Sequence, residues 1–275
     1  MAAEAAIELP HAGRAIRQPN VIEQTLAVGR RSVVRTSRQR ALLIFPMIFP
    51  LILFAINGSA LSPATRIPGF PTDNYRDFLI AMPFIQGAMF VSISAGVDLA
   101  RDIEGGFFNR LAMTPLRGEA MLMGQLGGAV VLGVIQAIVY LLVGVATGVT
   151  FVSGVGGALV LLALSVLISS AFASLGALLA LRFGTGEAVQ GIFPLLFVTL
   201  FLSSASLPRH LIKTTWFRDV ATYNPVSYLV EALRSLVITG WDAQALALGF
   251  GFTLPLLVVS LVFAQRAMRT RLARR

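Results

Sequence analysis

Apolar residues in this chain gather into runs too long for a soluble fold. Residues 41–60, 78–97, 121–145, 157–181, 189–207 and 245–264 consist almost wholly of Leu, Val, Ile, Phe, Ala, Gly and small polar residues, and charge bounds them. About 20 such residues in a helix cross the hydrocarbon core of a bilayer, so the pattern predicts six transmembrane helices. Pro46, Pro50, Pro83, Pro194 and Pro255 fall inside these runs. A packed membrane bundle tolerates them, because neighbouring groups take over the carbonyls a proline leaves without a donor.

Two stretches follow the helical period without being long or apolar enough to span. Over residues 21–40, at about 100° per residue, Ile22, Leu26 and Val33 share one face while Arg31, Arg35 and Arg38 share the other. This reads as an amphipathic helix on the membrane surface ahead of the first span, or as an arginine-rich topology anchor. Asn224 followed by Pro225 is a helix start, with asparagine as cap and proline at the first helical position. Val226, Leu229, Val230, Leu233 and Val237 then form one face with Ser227, Glu231 and Arg234 opposite, and Gly240 suits the stop. Glu231 and Arg234, three apart, are placed to pair. Fourteen residues at 1.5 Å each reach only about 21 Å, so the segment is expected to dip into one leaflet. Gly124 with Gly128, Gly144 with Gly148, and Ser165, Ser169 and Ala173 repeat every four residues, a spacing that lets helices approach closely.

Composition supports the membrane reading. The 275 residues are 56% hydrophobic and 13% charged, about half the charge density of soluble domains. Net charge is +9 from 22 basic and 13 acidic residues, and Lys213 is the single lysine. Sixteen of the basic residues fall in the tails and alternate loops that would share one side of the bilayer, and six on the other. Basic residues are retained in the cytoplasm, so both termini are expected there. A basic excess in so apolar a chain points to anionic lipid headgroups and topology, not nucleic acid. Residues 1–20 lack the apolar run of a cleavable signal peptide and are expected to form a disordered cytoplasmic tail; residues 265–275 form a basic one. The transmembrane domain is placed at 41–264.

Several chemistries are excluded. The six runs contain no Asp, Glu, Lys, Arg or His, which intramembrane hydrolases and proton pumps need at depth. The chain has no cysteine, so disulfides and thiol chemistry are absent. Lys213 follows Ile212 in a segment without glycine, so no P-loop is present. The groups left at depth are mild: Asn57, Gln86, Gln125, Gln136, Tyr140, Thr199, Ser203 and Ser204. Phe193, Phe197 and Phe201 recur every four residues, and Met82, Gln86, Met89 and Phe90 mark span two. Such stripes line a path for an apolar substrate or serve plain helix packing.

The loop from Asp98 to Glu119 reads DLARDIEGGFFNRLAMTPLRGE. A short helix is expected from about 106 to 113, stopping before Thr114–Pro115, with Phe107, Phe108 and Leu111 suited to docking on another protein. The spacing of Asp102, Glu104 and Gly106, followed by Arg110 and Pro115, together with NPVSYLVEALR at 224–234, resembles the permeases of type 2 ABC exporters. The likeness is to the daunorubicin-resistance-like drug and lipid export group of actinobacteria. It implies an all-α integral membrane protein of the bacterial plasma membrane. Its plan is six spans, a cytoplasmic amphipathic N-terminal helix and a re-entrant outer segment before the last span.

By the same resemblance the chain is not an enzyme and holds no cofactor. Two ABC ATPase subunits would bind ATP and Mg, and a second permease, identical or paralogous, would complete the transporter among the membrane lipids. Asp102, Glu104, Gly106, Phe107, Phe108, Arg110, Pro115 and Arg117 would couple to the ATPase. Met82, Gln86, Met89, Phe90, Phe193, Phe197 and Phe201 would line the substrate path. Asn224, Pro225, Tyr228, Glu231 and Arg234 would form the outer gate. The cargo expected is a hydrophobic or amphipathic drug or lipid moved outward. The rival readings are export of a glycan or cell-wall lipid by the same architecture, and a non-transporting membrane scaffold.

Overall fold

The computed structural model describes residues 20–38, 40–106 and 118–273, with side chains described at 20–34, 44–106 and 118–271. No strand occurs among the described residues. The helices are α1 (Val21–Arg38), α2 (Arg40–Ala60), α3 (Tyr75–Leu79), α4 (Ala81–Glu104), α5 (Gly118–Ala146), α6 (Gly154–Phe183), α7 (Gly186–Phe201), α8 (Thr215–Tyr223), α9 (Pro225–Ile238) and α10 (Ala243–Ala273), with 3-10 turns at Ser62–Arg66 and Arg209–Leu211. Four helical stretches are long and apolar enough to cross a membrane, namely Tyr75–Glu104, Gly118–Ala146, Gly154–Phe183 and Ala243–Arg271; Ile44–Ala60 and Gly186–Phe201 are shorter apolar helices.

Helix α6 is the hub, packed against α4, α5, α7, α9 and α10. Small residues set how closely its neighbours approach. A Cβ on Gly176 would collide with the Ser92 carbonyl of α4, and one on Gly133 would come within 2.7 Å of Ser169 Cβ. Such contacts replace the hydrophobic drive that lipid does not supply. The GxxxG glycine Gly124 serves α1 instead of a spanning neighbour, since a Cβ there would lie 2.6 Å from Val28 Cβ.

The break that Pro50 makes inside α2 is compensated locally. Pro50 cannot donate to the carbonyl of Pro46, one turn back in α2. The Tyr140 hydroxyl of α5 donates to that carbonyl at 3.0 Å, supplying the missing bond from a neighbouring helix.

Several elements differ from the sequence expectation. The expected span 189–207 is helical only to Phe201. There, Thr199 and Ser203 hydroxyls donate to the carbonyls of Leu196 and Leu200, and such side chains compete with helix continuation. Helix α4 runs to Glu104 and stops at Gly105 and Gly106, the latter at φ 65°. Asp98, Asp102 and Glu104 therefore stand on a helix and not in a loop. Helix α10 continues through most of the expected basic tail to Ala273. The helix expected at 106–113 lies, from residue 107, outside the described residues, as does the tail at 1–19.

Candidate functional site

At one end of the bundle, α9 begins where the sequence places it. The Asn224 side chain accepts from Val226 N–H at 2.9 Å, and its amide also donates to the Thr199 carbonyl in α7. Pro225 occupies the first helical position. At the far end Gly240, at φ 92°, turns its N–H back to the Ser235 carbonyl at 2.7 Å. The expected polar face of α9 is not exposed: Ser227 and Arg234 are buried beside the apolar residues.

The expected Glu231–Arg234 pair is replaced by two separate arrangements. Glu231 forms an ion pair with Arg209 and accepts from the Ser204 hydroxyl at 2.7 Å. Arg234, only 7% exposed, donates to three carbonyls: Phe78 at 2.9 Å, Ser204 at 3.1 Å and Ala205 at 2.9 Å. Its guanidinium also lies 3.5 Å from the centroid of the Phe78 ring. A buried charge is tolerated when its donors are fully satisfied. Here the carbonyls belong to the turn that ends α7 and to the last turn of α3, so one side chain closes two helix ends. Tyr228 stacks under Arg209, 5.1 Å from the guanidinium carbon, and donates to the Thr222 carbonyl. Asn224, Pro225, Tyr228, Glu231 and Arg234 thus form one connected assembly.

At the opposite end, Asp102 is buried and joins three helices. Arg31 of α1 lies 3.8 Å from one carboxylate oxygen, and Gln125 of α5 donates to the other at 3.0 Å. Ser32 of α1 donates to the Gln125 carbonyl at 3.0 Å. Glu104 accepts from Gly186 N–H, at the start of α7, at 3.1 Å, where a carboxylate also meets the positive end of the helix dipole. The structure therefore has Asp102 and Glu104 bracing α4 against α1, α5 and α7. Phe107, Phe108, Arg110, Pro115 and Arg117 lie outside the described residues. On α1, Ile22 and Leu26 face away from the bundle and are exposed, whereas Gln24 is buried.

Between the two ends, on the Asp102 side, lies a cavity of about 520 Å³. Its walls come from α1, α2, α4, α5 and α7. Phe45, Phe90, Phe193 and Leu132 form the apolar part, and Asp98, Arg101, Gln125, Gln190 and Ser32 give it polar edges. The aromatic stripe of α7 meets those of α2 and α4: Phe90 lies 5.1 Å from Phe193 and 5.7 Å from Phe197, and Phe49 5.9 Å from Phe90. Of the residues expected on the substrate path, Phe90 and Phe193 line this cavity, Phe197 belongs to the same aromatic chain, and Phe201 is exposed at its end. Met82, Gln86 and Met89 are buried away from it. No local signal in the sequence marks Phe45, Ser94, Arg101 and Gln190, because their tie to the site is tertiary.

Long apolar helices packed through small residues around an aromatic-walled cavity define a membrane-embedded helical bundle. The profile of the ABC-2 type transporter family matches residues 23–238, and the chain belongs to that family. It is 26% identical over 206 residues to a daunorubicin resistance ABC transporter permease protein of Streptomyces coeruleorubidus, covering 71% of this chain and 67% of that one. It is 24% identical over 221 residues to a probable doxorubicin resistance ABC transporter permease protein of Mycobacterium tuberculosis, covering 80% of this chain and 78% of that one. The chain is thus a permease component of an ABC transporter.

Proposed function

We propose that this permease moves a hydrophobic or amphipathic drug or lipid outward across a bacterial plasma membrane, driven by two ATPase subunits that bind ATP and Mg. In this reading α2 and α7 join the four longer apolar helices as spans, both termini face the cytoplasm, and α1 lies at the inner membrane surface with Ile22 and Leu26 in lipid. The α8–α9 segment re-enters the outer leaflet. A second permease, identical or paralogous, completes the path along α4 and α7.

The observation that carries this reading is the cavity. Its aromatic walls suit the body of an amphipath, and its polar rim suits a headgroup at the inner leaflet. Substrate enters from that side. The ATPase pushes on the segment after Glu104, and because Asp102 and Glu104 hold α1, α5 and α7 to α4, the push reaches four of the five cavity walls, all but α2. Exchange between an inward-open and an outward-open packing then requires the Arg234 assembly to part. Asn224, Pro225, Tyr228, Glu231 and Arg234 act as the outer gate. The mild polarity of the path favours a drug or lipid over a glycan.

The test fills the cavity without touching the ATPase contact. Ser94→Phe, in cells resistant to daunorubicin through this transporter, is expected to abolish resistance while the ATPase still co-purifies with the permease. Full resistance with the phenylalanine in place would contradict the cavity as the substrate path.

A further inference from the structure

Gln86 of α4 and Gln136 of α5 are buried, at 0% and 2% exposure, and neither carboxamide has a hydrogen-bond partner at its nitrogen or its oxygen. They do not even bond each other. Two unpaired amides in the apolar interior of a membrane bundle are costly, on the order of several kcal/mol together, where leucine or methionine would pack without penalty.

Their position gives the cost a use. Helices α4 and α5 run antiparallel: Asp102 bonds Gln125 at one end, and Gly87 faces Gln136 and Tyr140 at the other. Phe90 and Leu132 form the deep end of the cavity. Gln86 is one turn beyond Phe90, on the same side of α4, and Gln136 is one turn beyond Leu132, on the same side of α5. Gln136 Oε1 sits 3.0 Å from where a Gly87 Cβ would be, so only glycine leaves room for it against α4. From Asp98 at the cavity rim to Gln86, twelve residues of helix rise about 18 Å. The amides are a second polar station, deeper than the first and without an acidic or basic side chain; the neighbouring Tyr140 hydroxyl is committed to the Pro46 carbonyl.

We infer that Gln86 and Gln136 form a deep subsite that hydrogen-bonds an uncharged polar group of the transported molecule, such as a hydroxyl or carbonyl, when the cavity extends past Phe90 and Leu132. The inference rests on the exporter reading and sharpens its substrate class. An amphipath with a neutral hydrogen-bonding group within its apolar body gains donors and acceptors at this depth. A bare hydrocarbon gains nothing, and a fixed charge meets no counter-charge.

The absence of native cysteine makes a direct test possible. Single variants Gln86→Cys and Gln136→Cys, in the transporter assembled with its ATPase and turning over ATP, are treated with hydroxyethyl methanethiosulfonate or with its trimethylammonium analogue. The equally buried Ala88→Cys and Ala137→Cys serve as references. The neutral reagent is expected to label both glutamine positions at least about tenfold faster than the references, since accessibility controls thiol labelling, while the cationic one stays slow. The double variant Gln86→Met, Gln136→Met is expected to melt no lower than the parent, because it removes unpaired amides. Labelling as slow as the references, equal labelling by the cation, or a lower melting temperature in the double variant would each overturn the subsite. Resistance surviving in the Ser94→Phe variant alongside rapid neutral labelling here would instead strike the cavity as the substrate path of the proposed function.

Discussion

The two ends of this bundle are held together by different chemistry. At the Arg234 end, a buried guanidinium takes three carbonyls from the turn after α7 and the end of α3, and Glu231 holds Arg209 and Ser204. At the Asp102 end the carboxylate is as buried as Arg234, but its cationic partner Arg31 is about half exposed and 3.8 Å away, and the cavity opens beside it. Exposed ion pairs contribute little and rearrange cheaply, whereas a buried charge stripped of its partners is costly. In the proposed transport cycle the first end serves as a latch and the second as ties that give way. A permease that takes cargo on one side and holds the other shut needs that asymmetry.

Breaking the latch should give the largest effect. Arg234→Met strands three carbonyls, and a loss of about 3 to 5 kcal/mol is expected, read as a lower melting temperature in detergent; Arg234→Lys is expected to recover only part of it, because an ammonium cannot reproduce the planar fork. Arg209→Met leaves Glu231 with one neutral donor, Ser204, and should cost about 1 to 3 kcal/mol by the same assay. Between the ends, Tyr140→Phe should cost about 1 kcal/mol. In a Pro50→Ala background most of that cost should vanish, since the restored N–H takes the Pro46 carbonyl; an unchanged cost in the double-mutant cycle would contradict the compensation.

At the flexible end, Glu104→Gln keeps an acceptor for Gly186 and gives up only the charge at the α7 start, so a few tenths of a kcal/mol are expected. Its effect on ATP-driven export should be much larger than on stability. Equal losses in both would make Glu104 a stabilising cap with no part in transmission.

The difference between the ends also explains how far the sequence could be read. Runs of apolar residues locate the long helices, and Asn224, Pro225 and Gly240 bound α9 correctly, because caps and turns are local. Spacing alone puts Arg234 beside Glu231, yet its hydrogen-bond partners come from residues as distant as Phe78, and no local rule points to them. Helix α7 ends early where Thr199 and Ser203 turn their hydroxyls back onto its carbonyls and Arg234, distant in sequence, takes the carbonyls of Ser204 and Ala205. Asp102 reads in sequence as a loop residue, but α4 carries it about one and a half turns beyond the apolar run. The cavity joins five helices and leaves no signature along the chain, apart from the phenylalanines of α4 and α7.

The claim that the permease is passive and is worked through its Asp102 end can be measured on the purified complex. ATP hydrolysis is recorded for the permease with its attached nucleotide-binding subunits, then for each part after separation. Hydrolysis should leave entirely with the separated subunits, and its rate should change when the permease is rejoined. Nucleotide turnover by the isolated permease, or hydrolysis indifferent to its presence, would contradict it.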